Sequence, residues 1–246
     1  VDESADLDAA AEKIRISKTL DLAASCSSDN SVVLLDGIYD TMLDKLRAEG
    51  GYVCNAEEKT ALRNTLWDDE LHINTAMVAQ PPEKIAQMAG LTIPDGVQFF
   101  IVLEDGYGPE HPFSGEKLSV IMALYRARDI DHAIELTRHI QAYQGQGHSC
   151  GIYSNNDHNI MKVAENTYTS RVMVNQPQSA SNSGNVWNGM RQTFSLGCGS
   201  WGGNGTNNNI SWRDLINETW VSLPLAEPKV IPSDEDLFGD VIDQLG

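Results

Sequence analysis

The sequence predicts an α/β domain in which a largely parallel sheet is covered by helices on both faces, a three-layer α/β/α sandwich. Two observations predict it. Short β-branched and apolar runs, such as SVVLL at 31–35 and VQFFIVL at 97–103, alternate with stretches whose apolar residues recur at helical spacing. No internal repeat interrupts that alternation.

Taken in order, Leu7, Ala10, Ala11 and Ile14 mark a helix over 7–16, with Asp6 placed to accept hydrogen bonds from its first amides. The 31–35 run reads as a strand that stops at Asp36-Gly37. Ile38, Tyr39, Met42, Leu43 and Leu46 line one face of a helix ending before Gly50-Gly51. Asn55 caps a helix reaching about Trp67, where Glu57 and Glu58 meet the positive end of its dipole. A short apolar stretch at 76–79 precedes Pro81-Pro82, which open a helix that stops at Gly90. Strands are expected at 97–103 and 118–125, a helix around 133–140, a strand at 148–153, a helix at 159–166 and a strand at 171–175. Residues 176–209 turn to Gly, Ser and Asn, a loop length that in a compact domain commonly belongs to a site. After Leu223 the chain is proline-rich and acidic, as a surface tail is, and DEDLFGDVIDQLG offers a short amphipathic helix through Leu237, Phe238, Val241, Ile242 and Leu245. The expected organisation is a domain over 1–222 and a tail over 223–246.

Composition narrows the function classes. With 41% hydrophobic and 21% charged residues among 246, the chain has the make-up of an ordinary globular protein. Its apolar runs are too short to span a bilayer, and no secretory leader is recognised. Seventeen basic against thirty-five acidic residues, a net charge of −18, argue against a surface that tracks nucleic-acid phosphates. Cys26, Cys54, Cys150 and Cys198 form no CxxC pair and the histidines show no ligand spacing, so no metal is expected. A chain of this size needs no disulfide staples; free thiols in a reducing, cytoplasmic compartment are expected.

Four stretches carry candidate chemistry. Cys26 lies in SCSSDN, outside the apolar run that follows, where a nucleophilic thiol would be reachable; an inert cysteine before a strand would look the same. His148, in GQGHSCGIY, has the residue type and strand-end placement of a general base, or equally of a histidine bonded to nearby backbone. Glu116 precedes a buried strand, where its carboxylate could accept bonds from a ribose diol or sit in a solvated turn. The glycine-rich segment at 197–204 (GCGSWGGN) implies close backbone approach to a ligand or another chain segment, but is not a dinucleotide fingerprint.

DESADLDAAAEKIRISKTLD, SCSSDNSVVLLDGIYD, FSGEKLSVIMALYRARDIDHAIE, GQGHSCGIY, RVMVNQP and LGCGSWGGN, in that order, resemble the catalytic half of the CoA-acylating branch of the aldehyde dehydrogenase superfamily. The likeness runs from Val1 to about Ser222. It implies the superfamily's catalytic-domain fold. Cys26 falls at the nucleophile, Glu116 at the glutamate that holds the nicotinamide ribose, and His148 at a histidine near the nucleophile. It further implies NAD or NADP as cofactor, coenzyme A as co-substrate, a small aldehyde as substrate and a homo-oligomer. Within the branch, NGTNNNISWRDLINETWVSLPL and PSDEDLFGD look most like acylating sulfoacetaldehyde dehydrogenases. A sulfonate needs cations or N–H donors, and Ser200, Trp201 and Arg191 are the candidates near the glycine-rich loop. Acetaldehyde or propionaldehyde as substrate, a cysteine hydrolase, and a non-catalytic assembly module are the alternatives. Two departures stand out: Ser119-Val120 replaces a usual Ser-Pro, and the family's nucleotide-binding domain, with its oxyanion-stabilising asparagine, lies outside this sequence. The chain by itself is therefore expected to be nearly inactive.

Overall fold

A computed structural model describes residues 1–184 and 186–245. The chain forms two compact units, Val1–Ser211 and Trp212–Gly246. In the first, α1 (Leu7–Thr19) starts where the Asp6 carboxylate accepts from the Ala9 amide at 3.1 Å. Strand β1 (Ser31–Leu35) leads into α2 (Tyr39–Ala48), then β2 (Gly51–Val53). Helix α3 (Ala56–Leu66) opens with a reciprocal cap: Asn55 Oδ1 accepts from the Glu57 and Glu58 amides, and the Glu58 carboxylate accepts from the Asn55 amide. Helix α4 (Pro82–Ala89) closes at Gly90 in the left-handed region.

Strands β3 (Phe99–Leu103) and β4 (Ile121–Ala127) complete a parallel sheet in the order β1-β4-β3-β2. Nearly every residue of β3 and β4 is buried although successive side chains point to opposite faces, so helices cover both faces of the sheet. The expected strand at 118–125 begins three residues later because Leu118 has φ of 45°, which no strand accommodates. Strand β2 had no signal in the sequence: it is three half-buried residues opening on a glycine. The apolar stretch at 76–79 is a 3₁₀ turn, Thr75–Met77.

Helix α5 (Ile130–Tyr143) packs on β1 and β4. Beyond it, β5 (Cys150–Ile152) and β6 (Val172–Val174) pair in parallel as a separate two-stranded ladder, joined by α6 (Asp157–Asn166). A short α7 (Gln178–Ser181) follows. The second unit carries α8 (Asp234–Leu245), with Asp234, Glu235 and Asp236 in its first turn. Leu237, Phe238 and Val241 on that helix are exposed, while the side chains of Ile242 and Leu245 lie outside the described set. All four cysteines are free thiols, and among the described residues no helix is long and apolar enough to cross a membrane.

Candidate active site

Parallel pairing brings the loops before neighbouring strands to one edge of a sheet. The loop before β1 carries Cys26 and the loop before β4 carries Glu116; β1 and β4 are neighbours, with Ser31 opposite Ala123. The loop before β5 carries His148, and Arg171 stands directly before β6, with Cys150 opposite Val172. These functional groups sit at the amino ends of parallel strands, whereas ligands in open α/β sheets usually gather at the carboxyl ends.

The chain leaves α1 through Asp21, Leu22 and Ala23, all at positive φ, and then makes a tight turn in which the Ser28 amide donates to Ser25 O at 3.0 Å. That turn leaves Cys26 exposed. His148 Nε2 lies 3.3 Å from Cys26 Sγ, and His148 Nδ1 lies 2.8 Å from Ser149 Oγ. With its proton on Nδ1 the ring donates to the serine and leaves Nε2 free to accept from the thiol. Partial burial raises the Cys26 thiol above its ordinary value; the Glu116 carboxylate and Cys198 add to that rise, against the Cys26 backbone N–H and Arg171. Burial lowers His148, and Arg171 lowers it further. Sulfur and ring therefore rest as a neutral pair at pH 7, in which the imidazole is available as a base.

Glu116 is exposed, and its amide donates to Gln144 Oε1 at 2.7 Å. Its carboxylate makes no hydrogen bond or ion pair among the described residues, so both oxygens are open to donors such as a ribose diol. Burial raises its affinity for a proton, and Lys117 opposes that. Cys26, Glu116, Gln144 and His148 line a cleft of about 860 Å³.

Near the Cys26 loop lie two buried groups that the sequence did not single out. Asp29 has a buried Oδ2 without a partner, and burial pushes its carboxyl up to about 6 despite the Ser17 hydroxyl and Lys18. Lys18, wholly buried and with an unbonded Nζ, is pushed down to about 7 by burial against the pull of Asp29.

The glycine-rich segment folds back on itself: the Gly197 amide donates to Asn208 O and the Gly199 amide to Thr206 O, both at 2.9 Å. It also presses on the His148 loop. A Cβ at Gly147, whose φ is 80°, would stand 2.1 Å from Cys198 O, so the close approach is to another chain segment. Arg171 binds these pieces together. Its guanidinium donates to His148 O at 3.2 Å, Gly197 O at 2.7 Å, Asn207 O at 3.2 Å and Asn209 Oδ1 at 3.4 Å.

Arg191, Ser200 and Trp201 are exposed and do not line the cleft that Cys26 and His148 share. Arg191 Nη1 lies 3.5 Å from Ser211 Oγ. The cation that does reach this neighbourhood is Arg171, which the sequence did not flag. Its signal was a lone arginine before a short strand, and that ordinarily reads as a solvated end. Among the described residues one histidine–carboxylate cluster has metal-ligand proximity, Glu104, Asp105 and His111, but Glu104 already bonds Lys59 at 2.8 Å and His111 at 3.1 Å.

No protein-family model matches the chain. It is 40% identical over 248 residues to an acylating sulfoacetaldehyde dehydrogenase of Cupriavidus necator, an alignment covering 100% of this chain and 50% of that protein. It is 37% identical over 246 residues to an acylating sulfoacetaldehyde dehydrogenase of Bilophila wadsworthia, covering 98% of this chain and 52% of that one. The crystal structure of an acetylating aldehyde dehydrogenase from Geobacillus thermoglucosidasius matches with a TM-score of 0.88 at 30% identity, over 93% of this chain and 50% of that chain. The chain thus spans about half the length of the curated relatives it matches.

Proposed function

The chain belongs to the CoA-acylating branch of the aldehyde dehydrogenase superfamily, and from that premise we propose that it is the catalytic part of an enzyme oxidising a short anionic aldehyde to its acyl-CoA. The observation that carries the proposal is the 3.3 Å contact between His148 Nε2 and Cys26 Sγ, formed across 122 residues of sequence at an exposed position.

In this reading His148 takes the thiol proton as Cys26 sulfur adds to the aldehyde carbon, forming a thiohemiacetal. His148 passes that proton to the forming hydroxyl, and a bound NAD or NADP would accept the hydride in the oxidation to a thioester on Cys26, the hydroxyl proton leaving to solvent. Glu116 orients that cofactor through its unpartnered carboxylate, which suits a ribose diol. The CoA thiol then attacks the thioester carbonyl. His148 holds the proton that this thiol gives up, and the departing Cys26 sulfur takes one back. The proposed substrate is sulfoacetaldehyde, supported by the names and full-chain similarity of the two sulfoacetaldehyde relatives.

We also propose that the enzyme works as a homo-oligomer. The support is the second unit's exposed apolar residues, among them Trp212, Leu215, Trp220, Val221 and Ile231.

The test joins this chain to a nucleotide-binding domain of the family and follows CoA-dependent reduction of NAD or NADP with sulfoacetaldehyde. Cys26→Ser is expected to lower kcat/KM on the order of a thousandfold, because a serine hydroxyl is hardly ionised beside a neutral imidazole. Retention of most of the activity would overturn the assignment of the nucleophile. Equal efficiency on acetaldehyde would remove the sulfonate preference and leave the acylating chemistry standing.

A further inference from the structure

Arg171 is an unusual cation. It is 5% exposed in a chain of net charge −18, yet each of its hydrogen-bond acceptors is neutral: three backbone carbonyls and one amide oxygen. Among the described residues it faces no carboxylate, and its Nε is buried without a partner. A buried guanidinium normally finds a carboxylate, because desolvating an unneutralised charge is expensive. The groups whose negative forms interact with it are Cys198 and Cys26.

Its placement is equally specific. One Nη2 bridges the carbonyl of His148 and the carbonyl of Gly197, so a single side chain fixes the base's backbone to the start of the glycine-rich loop. Nη1 holds the returning limb of that loop through Asn207 and Asn209. A planar fork suits this, since each N–H has a fixed direction and its carbonyl partners cannot neutralise the charge.

We propose that Arg171 is the positioning residue of this site. It clamps the His148 loop onto the glycine-rich loop and holds an unneutralised positive charge on the backbone of the residue whose ring meets Cys26 Sγ at 3.3 Å, so that the cysteine thiolate is the anion this charge favours. The proposal rests on Cys26 being the nucleophile. The charged and titratable groups facing that sulfur are His148 from the loop before β5, Glu116 from the loop before β4, Cys198 from the glycine-rich loop, and Arg171 itself. Burial and Glu116 oppose thiolate formation, while the Cys26 backbone N–H and, to a smaller extent, Arg171 favour it.

The experiment measures iodoacetamide alkylation of Cys26 against pH on the chain as it stands, with peptide mapping to separate the four thiols and thermal melting to confirm folding. Arg171→Gln, which removes the charge, is expected to move the alkylation midpoint upward and slow the reaction at pH 7.5 on the order of fivefold, while the rate at high pH recovers. Arg171→Lys, which keeps a charge but loses the fork, is expected to hold the midpoint near that of the wild type. A purely structural role predicts a different pattern: both variants would lose rate equally at every pH, with no change of midpoint. That pattern overturns the proposal. Should Arg171→Gln fail to fold, Arg171→Lys alone decides, since an upward midpoint in that variant contradicts a role for the charge. A wild-type Cys26 no more reactive than Cys198 would instead defeat the nucleophile assignment.

Discussion

The two ladders of the first unit are held together in different ways. The β1-β4-β3-β2 sheet is an apolar construction: Leu34, Phe99, Phe100, Ile101, Val102 and Ile121 are fully buried in its core. The β5-β6 ladder has a small cluster of buried apolar residues, Ile134, Cys150, Ile152 and Val163, and around it a web of polar bonds. The Asn175 side chain accepts from the Ser154 amide at 3.0 Å and donates to the Ser154 carbonyl at 2.8 Å, Thr167 Oγ1 donates to Val163 O at 2.9 Å, and Arg171 spans four acceptors. Each ladder gives the site half of its thiol–imidazole pair. Cys26 and Glu116 are mounted on the sheet that packing makes rigid, while His148 is mounted on the ladder that hydrogen bonds align. Hydrophobic burial is non-directional, whereas hydrogen bonds fix direction, and direction is what proton transfer between Sγ and Nε2 needs.

The comparison breaks most directly in the core. Leu34→Ala on β1 is expected to lose about 2–5 kcal/mol, through lost transfer energy and the cavity left behind. Ile152→Ala on β5 should lose distinctly less, because its surroundings are thinner and can collapse around the change. Denaturation midpoints at constant slope measure both, and equal losses would show that the small ladder is packed as tightly as the large sheet.

A smaller effect sharpens the contrast at the seam. Gly147→Ala meets Cys198 O at 2.1 Å and the Gly202 amide nitrogen at 2.7 Å, in addition to its φ of 80°. Gly90→Ala shares the positive φ, at 70°, but has open space around the new methyl. The Gly90 variant is expected to lose about 1 kcal/mol from backbone strain alone. The Gly147 variant should lose about 2–3 kcal/mol and slow Cys26 alkylation as well, since the clash lies one residue from His148. Similar losses at the two glycines, with Cys26 reactivity unchanged, would mean that the seam yields without cost.

The asymmetry between the ladders also decides what could be read from sequence. Packing leaves a periodic pattern, so β1, β3, α2 and the Asn55 cap were visible as apolar runs and capping residues at fixed offsets. Bonds between side chains and distant carbonyls leave none. Nothing in RVMVNQP announces that Arg171 reaches residues 148, 197, 207 and 209, and Arg191 was favoured only because it stood nearer the glycine-rich loop along the chain. The glycine-rich composition did signal close approach, but not that the partner was the His148 loop. Cys26 and His148 were both candidates by residue type and position, yet their contact belongs to the tertiary structure. Strand β2 escaped because its three half-buried residues have neither length nor alternation.

The smallest expected effect tests whether polar bonds truly carry the second ladder. Asp2 is 1% exposed, and its carboxylate accepts four bonds: Oδ1 from the Ser4 amide at 2.9 Å and the Ser4 hydroxyl at 2.7 Å, Oδ2 from Ser154 Oγ at 2.6 Å and Asn159 Nδ2 at 2.8 Å. Ser154 follows β5 and Asn159 lies on α6, so this one carboxylate ties the chain ahead of α1 to the small ladder. Burial alone would raise its proton affinity, but the bonds from Asn159, Ser154 and Ser4 win and hold it below 3.8. Since the folded value is the lower one, the folded state binds fewer protons. Its contribution is therefore present above the unfolded value of about 3.9 and is lost as pH falls through the folded value. Asp2→Asn replaces one accepting oxygen by a donor that faces donors, and should lose about 1–3 kcal/mol at pH 7. The gap between wild type and variant should then begin to narrow as the pH falls below about 3.9 and go on narrowing through the folded value, because the protonated aspartic acid makes no better an acceptor than the amide. Urea midpoints for both proteins taken from pH 7 down to about 2.5 read this directly, and the subtraction cancels every other carboxylate. A gap that stays constant over that range would place the stabilisation of the small ladder in its apolar cluster rather than in its hydrogen bonds.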